Sequence, residues 1–139
     1  MRLLGRVINL GSSVTTTTRR MSLRNASAIA IVAIGATDTS NITIQECNAA
    51  SGGTAQNLAV VTEYWVQSVT TGLWVKNTQA AAATVPTTTT SITVVEISGT
   101  SLSDGFTFIT ASHANASFVY VLGDLTVARR PSNLAATLT

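Results

Sequence analysis

Along most of the chain, apolar and polar residues alternate or fall into short apolar runs, with breaks rich in Gly, Asn, Asp, Ser and Thr. This pattern predicts strands near "SAIAIVAIGA" (27–36), "SNITIQEC" (40–47), "LAVVTEYWVQSV" (58–69), "GLWVKNT" (72–78), "SITVVEIS" (91–98), "GFTFITAS" (105–112) and "SFVYVLGDLTVAR" (117–129). Val, Ile and Thr dominate these runs, and their stiff, branched side chains suit a pleated, half-buried surface. No segment carries a helical period. "TQAAAATVP" is short and stops at Pro86, so it reads as a loop with room for a single helical turn.

The breaks carry their own turn chemistry. "SGGT" (51–54) supplies two glycines for a loop, "TTG" (70–72) closes a hairpin between its flanking strands, and "SDG" (103–105) reads as a second hairpin-type turn. "TTTT" at 15–18 and again at 87–90 reads as linker, without matching flanks that would mark a repeat. The expected organisation is all-β. One β-sandwich or jelly-roll-like domain covers 21–128, with an extended N-terminal arm over 1–20 and an extended C-terminal tail over 129–139.

Two-sided apolarity singles out the last strand. Val119, Val121 and Leu125 point one way and Phe118, Tyr120 and Leu122 the other. One side belongs to the core, so the other needs cover. Phe118, Tyr120 and Leu122 are taken as the oligomer interface. Composition sharpens this reading: 45% of residues are hydrophobic and only 10% charged, against about 25% charged in an ordinary soluble domain.

The charge is also segregated. Arg2, Arg6, Arg19, Arg20, Arg24, Arg129 and Arg130 lie at the ends, whereas residues 25–128 hold Lys76 against six acids. Basic ends around an acidic body suggest arms that reach an acidic partner. Nucleic acid is disfavoured, because the body would repel it and few aromatics accompany the arginines. No apolar run is long enough to span a membrane, and the N-terminus, broken by Gly5, Arg6 and Asn9, reads poorly as a signal peptide. Assembly in a cytosol is expected.

Candidate chemistry is sparse. His113 is the only histidine and Cys47 the only cysteine, which excludes an intrachain disulfide. No Gly-x-Ser-x-Gly elbow, paired carboxylates, phosphate-cradling glycines or metal-ligand spacing occur. The three sequons at Asn25, Asn41 and Asn115, against roughly two expected by chance in so Ser/Thr-rich a chain, are read as noise. The expectation is a protein without catalytic residues, cofactor or metal.

The stretches "AIAIVAIGATDTSNITIQECNAASGGTAQNL", "YWVQSVTTGLWVKNTQAAAAT" and above all "GDLTVARRPSNLAA" resemble small structural proteins of tailed bacteriophages, the capsid decoration (cement) or minor head proteins. The resemblance spans most of 25–135. It implies a sandwich-like protein of the virion that trimerises and clamps the major capsid protein on the outer surface of the head after assembly in the host cytoplasm. On that reading Arg2, Arg6, Arg19, Arg20, Arg129, Arg130, Pro131 and Leu134 form the partner-binding set. Two alternatives remain. One is a tail or head-fibre component. The other is a carbohydrate-binding β-sandwich in which Tyr64, Trp65 and Trp74 make a stacking platform.

Overall fold

The computed structural model describes residues 6–9, as backbone, and 19–126. Its elements are β1 (Arg6–Asn9), β2 (Met21–Ser22), β3 (Ala26–Ile34), β4 (Ile42–Cys47), β5 (Ala55–Asn57), β6 (Val61–Ser68), β7 (Trp74–Ala82), β8 (Thr84–Val85), β9 (Ser91–Ser98), β10 (Phe108–Ser112) and β11 (Ser117–Leu125), with one 3-10 turn at Gly99–Ser101. The protein is all-β. Six strands form one antiparallel sheet in the order β1-β11-β3-β9-β6-β7. The second sheet runs β2-β10-β4, and β5 and β8 share the remaining edge of β4. Within the described residues, only β4–β5 and β6–β7 are hairpins inside one sheet. The other connections pass between sheets and so weave the two layers together.

The core lies between the layers. From the first sheet come Ile29, Ile31 and Ala33 of β3, Val95 and Ile97 of β9, and Phe118, Tyr120 and Leu122 of β11. From the second come Met21, Ile42, Ile44, Ile109 and Ala111. These sets repeat every second residue, as a strand with one face on a core requires. Tyr120 also bridges the layers, since its phenol oxygen accepts the Ala111 N–H at 3.1 Å. Burial, partly offset by that bond, pushes the phenol up to about 12.

Phe118, Tyr120 and Leu122 are therefore core residues and not an interface with another subunit. The side of β11 that faces outward carries Val119 and Val121, both half-buried. The reason is size. The three bulky side chains fill the space between sheets, and the smaller valines are left on the outer face.

Several other expectations change in detail. "TQAAAATVP" is strand, continuing β7 to Ala82 and then forming β8. The Gln79 amide holds this edge by donating to the Val61 and Thr84 carbonyls at 3.1 and 2.9 Å. The "SDG" turn exists, with Phe106 N–H bonded to Ser103 O and Gly105 at φ 82°, but it joins the two sheets and closes no hairpin. "TTTT" at 87–90 is no slack linker, because Thr87 is buried and hydrogen-bonded. Arg6–Asn9, expected within a free arm, pair with β11 as an edge strand. The first "TTTT" and the tail 129–139 lie outside the described residues.

Candidate functional site

The two outer faces of the sandwich differ in kind. On the second sheet, register places Ser22, Thr43, Gln45, Asn57, Thr84 and Ser112 outward, with Phe108, Cys47 and Thr110 on the same face but buried. On the first sheet the outward rows are aliphatic over three strands. Val121, Ala30 and Glu96 form one row, Val119, Val32 and Val94 the next, and Ser117, Ile34 and Ile92 the third. Residues opposed across strands share a face, so these rows make one continuous surface.

The surface continues onto β6 and β7 with a change of chemistry. Trp65 lies beside Val94 and opposite Lys76, and Gln67 lies beside Ile92 and opposite Trp74. The two tryptophans thus occupy one diagonal and Gln67 and Lys76 the other. Lys76 Nζ stands 5.8 Å from the Trp65 ring centroid and 2.8 Å from Glu63 Oε1. Both members of that ion pair are half-exposed, so it contributes only about 0–1 kcal/mol. Its larger consequence is that the lysine ammonium is held over the Trp65 ring.

The β6–β7 turn is the most exposed apolar feature among the described residues. It is closed by Ser68 N–H to Leu73 O at 3.2 Å and Gly72 N–H to Ser68 O at 2.7 Å. Gly72 takes φ 70°, a conformation that a side chain would strain. Val69, Leu73, Trp74 and Val75 remain 55%, 68%, 50% and 56% exposed. Val75 opposes Val66, on the side that packs into the core lower in the hairpin, yet it stands in water. The tip therefore projects beyond the sandwich and is apolar on both sides. Three consecutive exposed apolar residues are unfavourable on a surface that meets only water.

The expected partner-binding arginines are scattered. Arg19 is exposed, and its carbonyl accepts from Thr110 Oγ1 at 2.9 Å. Arg20 is engaged within the chain, its Nη1 donating to Ala49 O at 2.7 Å and to Gly52 O at 2.5 Å. It pins the β4–β5 loop and is a staple of the fold. Arg6 belongs to β1, opposite Leu122. Arg2, Arg129, Arg130, Pro131 and Leu134 lie outside the described residues.

His113 is buried where three loops meet. Its Nδ1 accepts the N–H groups of Asn115 and Ala116, each at 3.1 Å. Nε2 donates to Ser40 O at 3.0 Å and lies 3.3 Å from Thr87 Oγ1 and 3.4 Å from Asp38 Oδ1. A nucleophile-activating histidine needs a carboxylate at one ring nitrogen and a hydroxyl at the other. Here both sit at Nε2 while the backbone occupies Nδ1, so the arrangement is that of a loop tie. The Ser40 N–H, first, and then the Ser40 and Asn115 side chains hold the Asp38 carboxyl below its usual range.

Glu46 is buried and accepts from Gln56 Nε2 at 2.6 Å, Ser103 N at 2.7 Å and Ser103 Oγ at 2.6 Å. Burial alone would raise its carboxyl, but the three donors together bring it below the usual range. Cys47 is a buried free thiol raised chiefly by burial. Among the described residues, no three His, Cys, Asp or Glu side chains converge as metal ligands.

Sequence reasoning missed the hairpin tip. Its signal was present: "LWV" directly after the Gly72 turn breaks the apolar–polar alternation that an ordinary exposed hairpin keeps. Comparison with protein-family models, with curated proteins and with solved structures returns no match.

Proposed function

We propose that this chain is a non-enzymatic structural protein of a bacteriophage particle, a decoration protein that forms homotrimers and binds the major capsid protein on the outside of the head. One observation supports the assembly role above the others. A projecting apolar hairpin tip stands exposed beside an aliphatic sheet face that is half-buried apart from exposed Ile34, on a chain with only 10% charged residues. Surfaces of this kind are covered when subunits associate. The assignment to a phage head rests on the resemblance carried by "GDLTVARRPSNLAA" and its companion stretches. Attachment is assigned to the basic ends, where Arg129 and Arg130 can each hold a carboxylate with two parallel hydrogen bonds.

The carbohydrate-binding reading has one observation in its favour, the shared outer face of Trp65 and Trp74. It is weakened by Lys76, whose ammonium stands over one ring, and by Leu73 and Val75, aliphatic neighbours that suit a protein surface better than a sugar.

The test is binding to empty capsids of the same phage, read by light scattering and sedimentation. The full chain is expected to decorate the particles. The Arg129→Ala/Arg130→Ala variant and a variant ending at Ala128 should stay folded and detach at lower salt. Equal occupancy and salt dependence for all three would remove the attachment role from the tail. No binding by the full chain would overturn the decoration reading.

A further inference from the structure

The first sheet ends on β7, whose outer edge pairs with no other strand among the described residues. Ser68 N–H donates to Leu73 O, so the Leu73 backbone faces β6. Alternation along an antiparallel ladder turns Val75 and Asn77 toward β6 as well. It points the N–H and C=O groups of Trp74, Lys76 and Thr78 outward. Past Thr78 the register shifts, because the step from Glu63 to Val61 on β6 meets the longer step from Thr78 to Ala82 on β7. An irregularity of this kind re-aims an edge, so the straight, pairable stretch is Trp74–Thr78. A lysine usually blunts such an edge. Here Lys76 is drawn instead to Glu63 and the Trp65 ring.

We propose that this edge pairs with the same edge of a second copy, antiparallel, about a two-fold axis through Val75. Outward backbone groups must meet outward backbone groups, and the side chains then choose among the registers. Centred on Trp74, only that residue exchanges both backbone bonds, since the Gly72 N–H is taken by Ser68 O. Centred on Lys76, the two lysines stand directly opposite each other, which is destabilising. Centred on Asn77 or Thr78, Trp74 runs onto the irregular stretch and Leu73 stays in water.

Centred on Val75, every neighbour is complementary. Trp74 of each copy opposes Lys76 of the other and exchanges both backbone hydrogen bonds with it. Lys76 then lies between Trp65 of its own copy and Trp74 of the second, so a second ring joins the contact already made at 5.8 Å. On the other side of the sheet, Val75 covers Val75 and Leu73 opposes Asn77. The exposed tip is thereby covered on both of its sides at once. The described part of the N-terminal arm cannot take this place, because β1 holds the opposite edge of the sheet.

The stretch from Leu73 to Asn77 buries on the order of 700 Å² over two copies, below the roughly 1,200 Å² at which standard interfaces begin. Pairing is therefore weak in dilute solution and is populated where copies are concentrated or held side by side. A two-fold contact cannot build a trimer. It goes beyond the decoration reading and does not need it; on a decorated particle it links a copy in one trimer to a copy in the next.

Disulfide trapping at high protein concentration reads the register directly, in a Cys47→Ser background. In this pairing the two Val75 Cα atoms stand about 4.5 Å apart, within disulfide range. The two Lys76 Cα atoms lie roughly 8 Å apart, outside it. Val75→Cys should form a covalent dimer under mild oxidation and Lys76→Cys should not. Sedimentation over a concentration series follows the non-covalent contact. Val75→Glu sets two carboxylates on the axis and should weaken the pairing step about tenfold or more. Thermal melting of each variant at low concentration checks that it folds.

Trapping at Lys76→Cys and not at Val75→Cys would mean another register and overturn the proposal. Pairing that survives Val75→Glu would overturn it as well. So would pairing that is lost in a variant ending at Ala128, since the contact would then belong to the tail. A chain that traps at Val75→Cys but ignores capsids keeps the pairing and loses the decoration reading. A chain that decorates capsids and traps nowhere keeps that reading and loses the pairing.

Discussion

Replacing His113 with alanine should destabilise the fold by about 3 kcal/mol. The imidazole is fully buried, and its Nδ1 is the acceptor for two backbone N–H groups. The Ala116 N–H is buried and would lose its partner outright, at about 1–3 kcal/mol. The Asn115 N–H is only part-buried and can recruit water, so its loss falls at the lower end of that range. Ser40 O keeps the Thr87 hydroxyl at 2.5 Å and costs little. The empty ring volume adds a cavity contribution. For a chain of 139 residues, 3 kcal/mol corresponds to roughly 10 °C in Tm. Urea unfolding at one fixed protein concentration is the assay, because association itself adds to apparent stability. His113→Asn restores an acceptor near the position of Nδ1 and should recover at least about 1 kcal/mol of the loss. An alanine variant within about 1 kcal/mol of wild type, or an asparagine variant no better than alanine, would show that the loops are held by something other than this ring.

Two further outcomes follow from the same geometry. Glu46→Gln replaces an acceptor-only group by one whose amide faces donors, and should cost about 2–3 kcal/mol in the same unfolding assay. Because the folded-state value of Glu46 lies below its ordinary one, its contribution is fully present above the unfolded carboxylate range and is lost as pH falls through the folded value; the variant should lack that acid-side decline. Gly72→Ala should cost about 1–2 kcal/mol in chemical unfolding, since an L side chain at φ 70° is strained even though nothing lies within 4 Å of it; an unchanged midpoint would mean that the turn relaxes.

The strands legible in the sequence were those whose side chains alternate with β-branched residues. β9 occupies Ser91–Ser98, as the pattern predicts, and β3, β4 and β11 follow it within a few residues. β2, β5 and β8 are two or three residues long, too short for a period to register. β7 extends through alanines of poor strand propensity because β6 pairs with it and Gln79 bonds across the edge. For β11, a period of two separates the two side-chain sets but gives no sign to them. Which set turns inward depends on the facing sheet, where Ala111 leaves space and an N–H for Tyr120. Arg20 was unreadable for another reason, since its carbonyl partners lie 29 and 32 residues away. The exposed tip could have been read from "LWV" beside a glycine turn.

The low charge of this chain has two physical origins, and only one of them concerns a partner. The outer face of the second sheet is kept wettable by Ser, Thr, Gln and Asn instead of charge. Buried threonines add to the count without exposing anything; the Thr87 and Thr110 hydroxyls donate to backbone carbonyls. That part of the composition needs no second molecule. What is left over is concentrated on the first sheet's outer face and on the β6–β7 tip, where aliphatic and indole surfaces meet water with Glu96, Glu63 and Lys76 as the nearby charges. A contact that relieves this excess must therefore involve the first sheet or its projecting hairpin. The basic ends, which hold seven of the eight basic residues, are suited to a different and more salt-sensitive contact. Assembly and attachment are thus separable by chemistry: apolar substitutions at the tip should act on the first, and added salt on the second.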